Sequence, residues 1–423
     1  MATAEKELRV RSIDGDKVDI VSFEITNLFG NCSYKIPFDR NLLKEKTFPN
    51  ILILSGKNGC GKTTILKMIS GMIKMNFDEF RRVPFDSASL NLSNGRSLSV
   101  KKTGRSDFPL AVSYKDAEVE LYKSRSISEE SSLYLPEDYI EKIEIIRNVA
   151  MRDLNKIKFE LILIDRGFYQ SDMDVNEYGY MYPNKEKTRK NLSLLVSKFI
   201  ANAQIDYRRF FEDNTNYLLS KLTDSILNEY DQFSKEVIVS SIMDIKFRYN
   251  KMDRYRLYYD SNSDDLLKII NKTYMNVDRT MSMIYPYVAL EEERLRRAEF
   301  IISRLSEFEA IMNDFMPDKS ISLNSEDGIL IRRGDALIRE DDLSSGEYHF
   351  LYMMVSALIC ESEGTIIAID EPELSLHVSW QRRLVDALTR CSAKASPLFL
   401  FATHSIAIAS QHKGSVYEMA GLE

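Results

Sequence analysis

Alternation of apolar and polar positions marks the first elements of the chain as strands. Val18–Thr26 alternates with a period of two, and Ile51–Ser55 is a short, almost wholly apolar run leading straight into glycines. Thr63–Ile73 has helical spacing. Ser89–Val100 alternates on either side of Asn94-Gly95, the strongest short hairpin signal, and Leu110–Leu121 continues in strand style. A mainly antiparallel region is therefore expected after the first helix. Lys142–Leu154 reads as a helix, Phe159–Ile164 as a buried strand and Met173–Lys185 as a polar, tyrosine-containing loop.

From about Lys187 to Met316 the chain turns helical and highly charged, with Pro286 its only proline. Leu295, Ala298, Ile302, Leu305, Phe308, Met312 and Phe315 recur three and four residues apart, one apolar stripe on a helix of about five to six turns. Strand signals return at Ile321–Leu323, Gly328–Ile331 and Ala336–Ile338. A helix at Ser345–Cys360, an apolar strand at Thr365–Ile369, a helix near Ser379–Thr389 and strands at Leu398–Ala402 and near Ser415–Met419 complete the pattern.

The 423 residues suit a core domain with one large insertion, or two domains. A charged share of 29% fits long surface helices. The net charge, 57 − 64 = −7, excludes a general polyanion binder, so any DNA contact has to come from a local basic face. Cys32, Cys60, Cys360 and Cys391 have no paired spacing, which argues for a reducing compartment and against zinc. Met1–Asp16 lacks an apolar signal core, and no run of about 18 apolar residues occurs. The expectation is a cytoplasmic chain that makes no use of a membrane.

Chemistry concentrates in a few short motifs. Gly56-Lys57-Asn58-Gly59-Cys60-Gly61-Lys62-Thr63 fits G-x-x-x-x-G-K-[ST] in full, and it follows a strand and opens a helix. Glycines let the backbone curl into a nest of N–H groups aimed at phosphate oxygens, and the helix N-terminus adds a favourable dipole. Lys62 is placed to reach the β- and γ-phosphates of ATP and Thr63 to hold Mg²⁺; Thr64 follows in the same helical turn. In Thr365–Pro372 an apolar strand ends in two carboxylates. Asp370 is assigned to the Mg²⁺ shell and Glu371 to polarising the attacking water.

Leu343-Ser344-Ser345-Gly346-Glu347 resembles the L-S-G-G-Q/E signature of ABC-type ATPases, with Ser345 in place of the first glycine. By that resemblance Ser344 and Gly346 contact the γ-phosphate held by another subunit, and a head-to-tail homo-oligomer, at least a dimer, follows. The same serine also reads as an ordinary helix cap. The motif lies 370 − 344 = 26 residues before Asp370. His404, after the strand Leu398–Ala402, is similar to the switch histidine that senses the γ-phosphate. The family also carries a Mg²⁺-sensing glutamine, for which Gln170 is the candidate. Phe29 and Tyr34 are the aromatic candidates for adenine.

Glu371-Pro372-Glu373-Leu374-Ser375-Leu376-His377, followed by Trp380-Gln381-Arg382-Arg383-Leu384, resembles the RecF/OLD and SMC-related branch rather than a transporter. The P-loop and signature stand 344 − 62 = 282 residues apart, more than in transporters and less than in SMC proteins. The resemblance implies an α/β P-loop NTPase head, a mixed sheet plus an antiparallel β subdomain, with an inserted helical domain. Its divisions fall at 1–185 for the P-loop lobe, 186–316 for the insertion and 317–423 for the lobe with signature, Asp370 and His404. With 423 − 404 = 19 residues after His404, a TOPRIM nuclease is not expected in this chain. The architecture resembles the stand-alone ATPases of two-gene anti-phage systems such as PARIS and Septu, implying a sensor or scaffold for a separate effector such as a nuclease. A RecF/SMC-like DNA-repair ATPase is the alternative, and a transporter subunit a more distant one. Within the insertion, Lys246, Arg248, Lys251, Arg254 and Arg256 interleave with Phe247, Tyr249, Tyr255, Tyr258 and Tyr259. Such a cluster either tracks nucleic acid or packs as an amphipathic helix, and the acidic chain favours packing.

Overall fold

Two kinds of strand in this sequence build two kinds of sheet. The computed structural model describes residues 17–38, 50–122, 137–163, 169–170, 173–175, 181–183, 188–189, 191–214, 216, 218–220, 222–223, 234–252, 255, 263–272, 277–360, 364–393 and 395–419. In chain order the first elements are β1 (Ile20–Leu28), β2 (Cys32–Pro37), β3 (Ile51–Ser55), α1 (Lys62–Ile73), β4 (Ser87–Leu92), β5 (Ser97–Lys102), β6 (Leu110–Tyr114), β7 (Ala117–Leu121), α2 (Glu137–Leu154) and β8 (Phe159–Ile162). The helical stretch supplies α3 (Leu192–Asp213), α4 (Lys235–Met252), α5 (Ser263–Lys272) and α6 (Val277–Phe315). Then come β9 (Ser320–Asn324), β10 (Gly328–Arg333), β11 (Ala336–Ile338), α7 (Ser345–Ile359), β12 (Ile366–Asp370), α8 (Val378–Cys391), β13 (Leu398–Thr403) and β14 (Val416–Glu418).

The chain forms two compact units. The first takes Met1–Phe168, Glu361–Val385 and Ala395–Glu423; the second takes Tyr169–Cys360 and Asp386–Lys394. These limits differ from divisions at 186 and 316. The second unit includes β9–β11 and helix α7, which the sequence reading assigned to the closing lobe.

In the first unit, β2-β1-β4-β5-β6-β7 form a six-stranded antiparallel sheet. Its strands alternate between buried and half-buried positions, as a sheet with one face on the core requires. The β4–β5 turn closes with the Gly95 N–H donating to Leu92 O at 3.1 Å, while Gly95 takes a φ of 75°. A second sheet, in the order β14-β3-β13-β12-β8, is parallel throughout rather than mixed. Its central strands β12 and β13 are buried at every position, which explains their unbroken apolar runs. Phe23, Ile25 and Leu90 from the first sheet share one core with Leu52, Leu54, Ala368 and Leu400 from the second and with Ile65 and Ile69 of α1.

In the second unit, Ile238, Ile242 and Ile245 of α4 pack with Ile270 of α5 and with Met281, Ile284, Val288, Leu295 and Ala298 of α6. The helix α6 has 39 residues, so the expected stripe is only its C-terminal half, and Pro286 lies inside it. The stretch read as a loop, Met173–Lys185, contains a short antiparallel pair, Met173–Val175 with Met181–Pro183. The described part of the aromatic-basic segment is mostly paired or buried, though Phe247 is exposed. Lys246 pairs with Asp264 at 2.5 Å and Arg248 with Glu299 at 2.7 Å, while Tyr249 and Tyr255 are buried. Arg254, Arg256, Tyr258 and Tyr259 lie outside the described residues. Among the described residues no helix is long and apolar enough to cross a membrane.

The end of α7 has an unusual anchor. Arg304, buried on α6, donates through Nη2 to the carbonyls of Ala357 (3.2 Å), Leu358 and Cys360 (2.7 Å). A cation there satisfies helix-end carbonyls and opposes the negative end of the helix dipole. Arg304→Met should remove those bonds at similar volume and lower stability by about 2–3 kcal/mol, the usual worth of hydrogen bonds from a charged donor. Urea unfolding followed by circular dichroism checks it, and an unchanged midpoint would refute the anchoring role.

Candidate nucleotide site

The parallel register places the candidate residues together. Ser55 of β3 lies beside Thr403 of β13, and Ala402 beside Asp370 of β12. The carboxyl ends of these three adjacent strands therefore share one edge, where open parallel sheets bind ligands. The P-loop leaves β3 there, Glu371 leaves β12 and His404 leaves β13.

The loop geometry follows from its glycines. Gly61 caps α1 with a φ of 98°, and a Cβ at that position would come within 2.7 Å of Leu28 Cδ2 and 3.2 Å of the Phe29 ring. Only glycine fits both the backbone and the space. Gly59 also has a positive φ, 82°. Gly56 lies under Cys60 and Met419, since an added Cβ would stand 2.9 Å from Cys60 Sγ and 3.1 Å from Met419 Cβ. The loop thus leads into a helix whose first amide groups face outward at its positive end.

A cavity of about 260 Å³ opens over this edge, walled by Phe29, Asn58, Gly59, Gly61, Lys62, Thr63, Thr64, Glu371 and His404. Lys62 is buried, and its Nζ donates to Gly56 O at 3.0 Å and Lys57 O at 3.3 Å, with His404 Nδ1 3.4 Å away. Thr63 Oγ1 donates to Asp370 Oδ1 at 3.0 Å. This hydroxyl–carboxylate pair is an all-oxygen donor set suited to a hard divalent cation such as Mg²⁺. Burial pushes the Asp370 carboxyl up to about 6, against the lowering effect of the Thr63 bond, and the neighbouring Glu371 raises it further. Glu371 itself has a φ of 48°, uncommon for a non-glycine residue, and its N–H extends the ladder to Ala402 O at 2.7 Å.

Other candidates fall elsewhere. The Phe29 ring walls the cavity, whereas buried Tyr34 supports the loop through its hydroxyl, which donates to Cys60 O at 2.9 Å. Ser344 and Gly346 belong to the second unit. There Ser344 caps α7 in a capping box: its Oγ accepts from the Glu347 N–H at 3.3 Å, and its own N–H donates to Glu347 Oε2 at 3.0 Å. Lys319 Nζ meets the other Glu347 oxygen at 2.6 Å. Gln170 is also in the second unit, on a two-residue strand paired with Thr188. Sequence reasoning missed the roles of Glu373 and Gln381. Glu373 accepts from Thr403 Oγ1 at 2.6 Å and from the His404 N–H at 2.8 Å, and Gln381 Oε1 accepts from Ser405 Oγ at 2.9 Å. Their only signal was their place in the tail after Glu371. A larger cavity, about 440 Å³, lies between α3 and α6 in the second unit, but its arginines 294, 296 and 297 are already paired with Glu291 or Glu293 on their own helix.

A P-loop at the edge of a parallel sheet, with an acidic strand end and a histidine beside its lysine, defines a P-loop ATPase. A family model described as AAA ATPase domain matches residues 19–409, and the chain belongs to that family. Endonuclease GajA of Bacillus cereus (strain HuB5-5) is 22% identical over 400 residues, 86% of this chain and 53% of that protein. The chain thus spans about half the length of this curated relative. Among solved structures, an Smc head domain with an extended coiled coil, bound to the C-terminal domain of ScpA and derived from Pyrococcus furiosus, aligns over 96% of this chain and 94% of its own at 15% identity and a TM-score of 0.42. The SMC head domain from Thermotoga maritima aligns over 95% and 96% at 10% identity and a TM-score of 0.34.

The buried carboxyl has a consequence for stability. A raised folded-state value means that the folded chain holds the Asp370 proton more tightly than the unfolded chain does. Stability therefore falls as pH rises from about 4 through about 6. Asp370→Asn removes this charge, so it should be more stable than the parent at pH 8, by about 2 kcal/mol, and close to it at pH 4. Urea titrations at the two pH values check this; equal differences at both would show that burial of the charge is not the cause.

Proposed function

We propose that this chain hydrolyses ATP in a Mg²⁺-dependent cycle, and that copies pair head to tail as an ATP-controlled assembly serving a separate effector, a nuclease, in anti-phage defence. The observation that carries the catalytic part is the single cavity on whose wall Lys62, Thr63, Glu371 and His404 meet, with Asp370 hydrogen-bonded to Thr63. On this reading the P-loop amides and Lys62 bind the phosphates, Lys62 exchanging its bonds to Gly56 O and Lys57 O for phosphate oxygens. Thr63 and Asp370 would hold Mg²⁺, which neutralises phosphate charge when bound. Glu371 takes the proton of the attacking water, and His404, beside Lys62, faces the terminal phosphate.

The assembly part rests on the resemblance of Leu343–Glu347 to the ABC signature. Ser344 is exposed at the N-terminus of the 15-residue helix α7, a position suited to phosphate. Pairing with a nuclease is supported by the resemblance to defence ATPases and by a matched relative that is itself an endonuclease. Gln170 remains the proposed Mg²⁺-sensing glutamine.

Glu371→Gln keeps the shape of the side chain and removes the base. ATP turnover should fall by about 10²- to 10⁴-fold, the usual contribution of a general base, with nucleotide binding retained. The ATP-bound variant should also run at a multiple of the 48.9 kDa chain mass in mass-resolved chromatography. Parental turnover would remove the base assignment, and a monomer mass with ATP bound would remove the head-to-tail assembly.

A further inference from the structure

The last ladder bond between β12 and β13 is the one from Glu371 N–H to Ala402 O. Beyond it the two chains part, one into the loop that carries Glu371 and the other into the loop that carries His404. Side chains then take over from the backbone. Both oxygens of Glu373 reach across: Oε2 accepts from Thr403 Oγ1 at 2.6 Å and Oε1 from the His404 N–H at 2.8 Å. The Thr403 hydroxyl is itself oriented, because it accepts from the Ser405 N–H at 2.9 Å and so has its proton left for Glu373. Gln381 of α8 makes a second crossing. Its Nε2 donates to Leu376 O at 3.0 Å and Glu373 O at 3.3 Å, and its Oε1 accepts from Ser405 Oγ at 2.9 Å.

We propose that Glu373 is a positioning residue for ATP hydrolysis, clamping the His404 loop to the Glu371 loop so that the imidazole stays presented to Lys62 and the nucleotide. The inference rests on the reading of His404 as the group facing the terminal phosphate. Glu371 and His404 wall the cavity, while Glu373 is not among the described residues that do. Its effect on the reaction therefore passes through the backbone of His404. A carboxylate with both oxygens on one loop has little freedom, and charge-assisted bonds of this length are the stronger kind. Thr403 is fully buried, so its hydroxyl has no water to exchange with when the carboxylate is lost.

The test compares Glu373→Ala, Glu373→Gln, His404→Ala and the double variant Glu373→Ala/His404→Ala in steady-state ATP hydrolysis. Glu373→Ala should lower kcat about tenfold with KM for ATP within about twofold, since the phosphate contacts of the P-loop are untouched. Glu373→Gln keeps an oxygen for the His404 N–H and should retain at least about half of kcat. The double variant should be no slower than His404→Ala alone, because a residue that acts through His404 has nothing left to position. Thr403→Val, close in shape, carries the same test if Glu373→Ala does not fold, with an expected kcat loss of about threefold. A loss in His404→Ala with parental kcat in Glu373→Ala overturns the positioning role alone. So do additive losses in the double variant, or a rise in KM matching the fall in kcat. Parental kcat in His404→Ala overturns the reading of His404 and this inference with it.

Discussion

The parallel pairing of β3, β13 and β12 is the constraint on which the site depends. The three strands end at Ser55, Thr403 and Asp370, far apart in the chain but adjacent at one sheet edge. Nothing local brings Lys62 to His404; the hydrogen-bond ladders do, and the ladders hold because β12 and β13 are buried on both faces. A one-residue slip of β12 against β13 would turn its side chains to the opposite face and take Asp370 away from Thr63. The apolar runs of these strands are in this sense part of the site, since they fix the register at which the carboxylate meets the loop.

The main segment of the second unit, Tyr169–Cys360, enters the chain between β8 and β12, two strands that pair directly. So long an insertion looks costly, yet loop-closure entropy grows only with the logarithm of length, about 0.6 kcal/mol for each doubling. The inserted residues also repay their own ordering, because α4, α5 and α6 bury isoleucines against one another in a core of their own. Its acids and bases pair within the unit. Arg248 bridges to Glu299 on α6, and Arg294 and Glu291 form a buried pair along one helix. These pairings explain why a segment rich in Lys, Arg and Tyr need not be a nucleic-acid track in an acidic chain.

What the sequence disclosed, and what it hid, follows the range of the interactions. The P-loop was legible because its chemistry is local: glycines at fixed spacing, a lysine and a threonine, between a strand and a helix. The acidic end of β12 was legible because an unbroken apolar run before two carboxylates is itself a pattern. Lys62 and His404 could be assigned separately, but their 3.4 Å approach is a property of the sheet. Glu373 and Gln381 were quoted as part of a tail and given no role, since their partners Thr403, His404 and Ser405 sit on another strand. The pair Met173–Val175 with Met181–Pro183 escaped because three residues are too few to show a period. The length of α6 was underestimated because its buried stripe continues back through Met281, Ile284 and Val288 but is interrupted by Glu291 and carries Pro286 within it. The compact units also divide the chain elsewhere than at 186 and 316. Strand signals after Met316 look like a return to the first sheet, yet among the described residues β9, β10 and β11 pair with one another and with no other strand.

The end of β12 is held against local preference, and the surroundings account for it. Glu371 and Ser375 both have positive φ, 48° and 63°, conformations that cost non-glycine residues of order 1–3 kcal/mol each. Asp370 adds a carboxylate kept from water with one hydroxyl for a partner. Against this stand the ladder bond of Glu371, the turn bond from Leu374 N–H to Glu371 O at 3.0 Å, both oxygens of Glu373 and the three bonds of Gln381. At about 1 kcal/mol for each neutral bond and more for the charged ones, these are of the same order as the strain they oppose. The loop is therefore neither relaxed nor loose. Its polar groups spend their bonds on fixing Glu371 and His404, while the buried Asp370 carboxylate is met by the Thr63 hydroxyl.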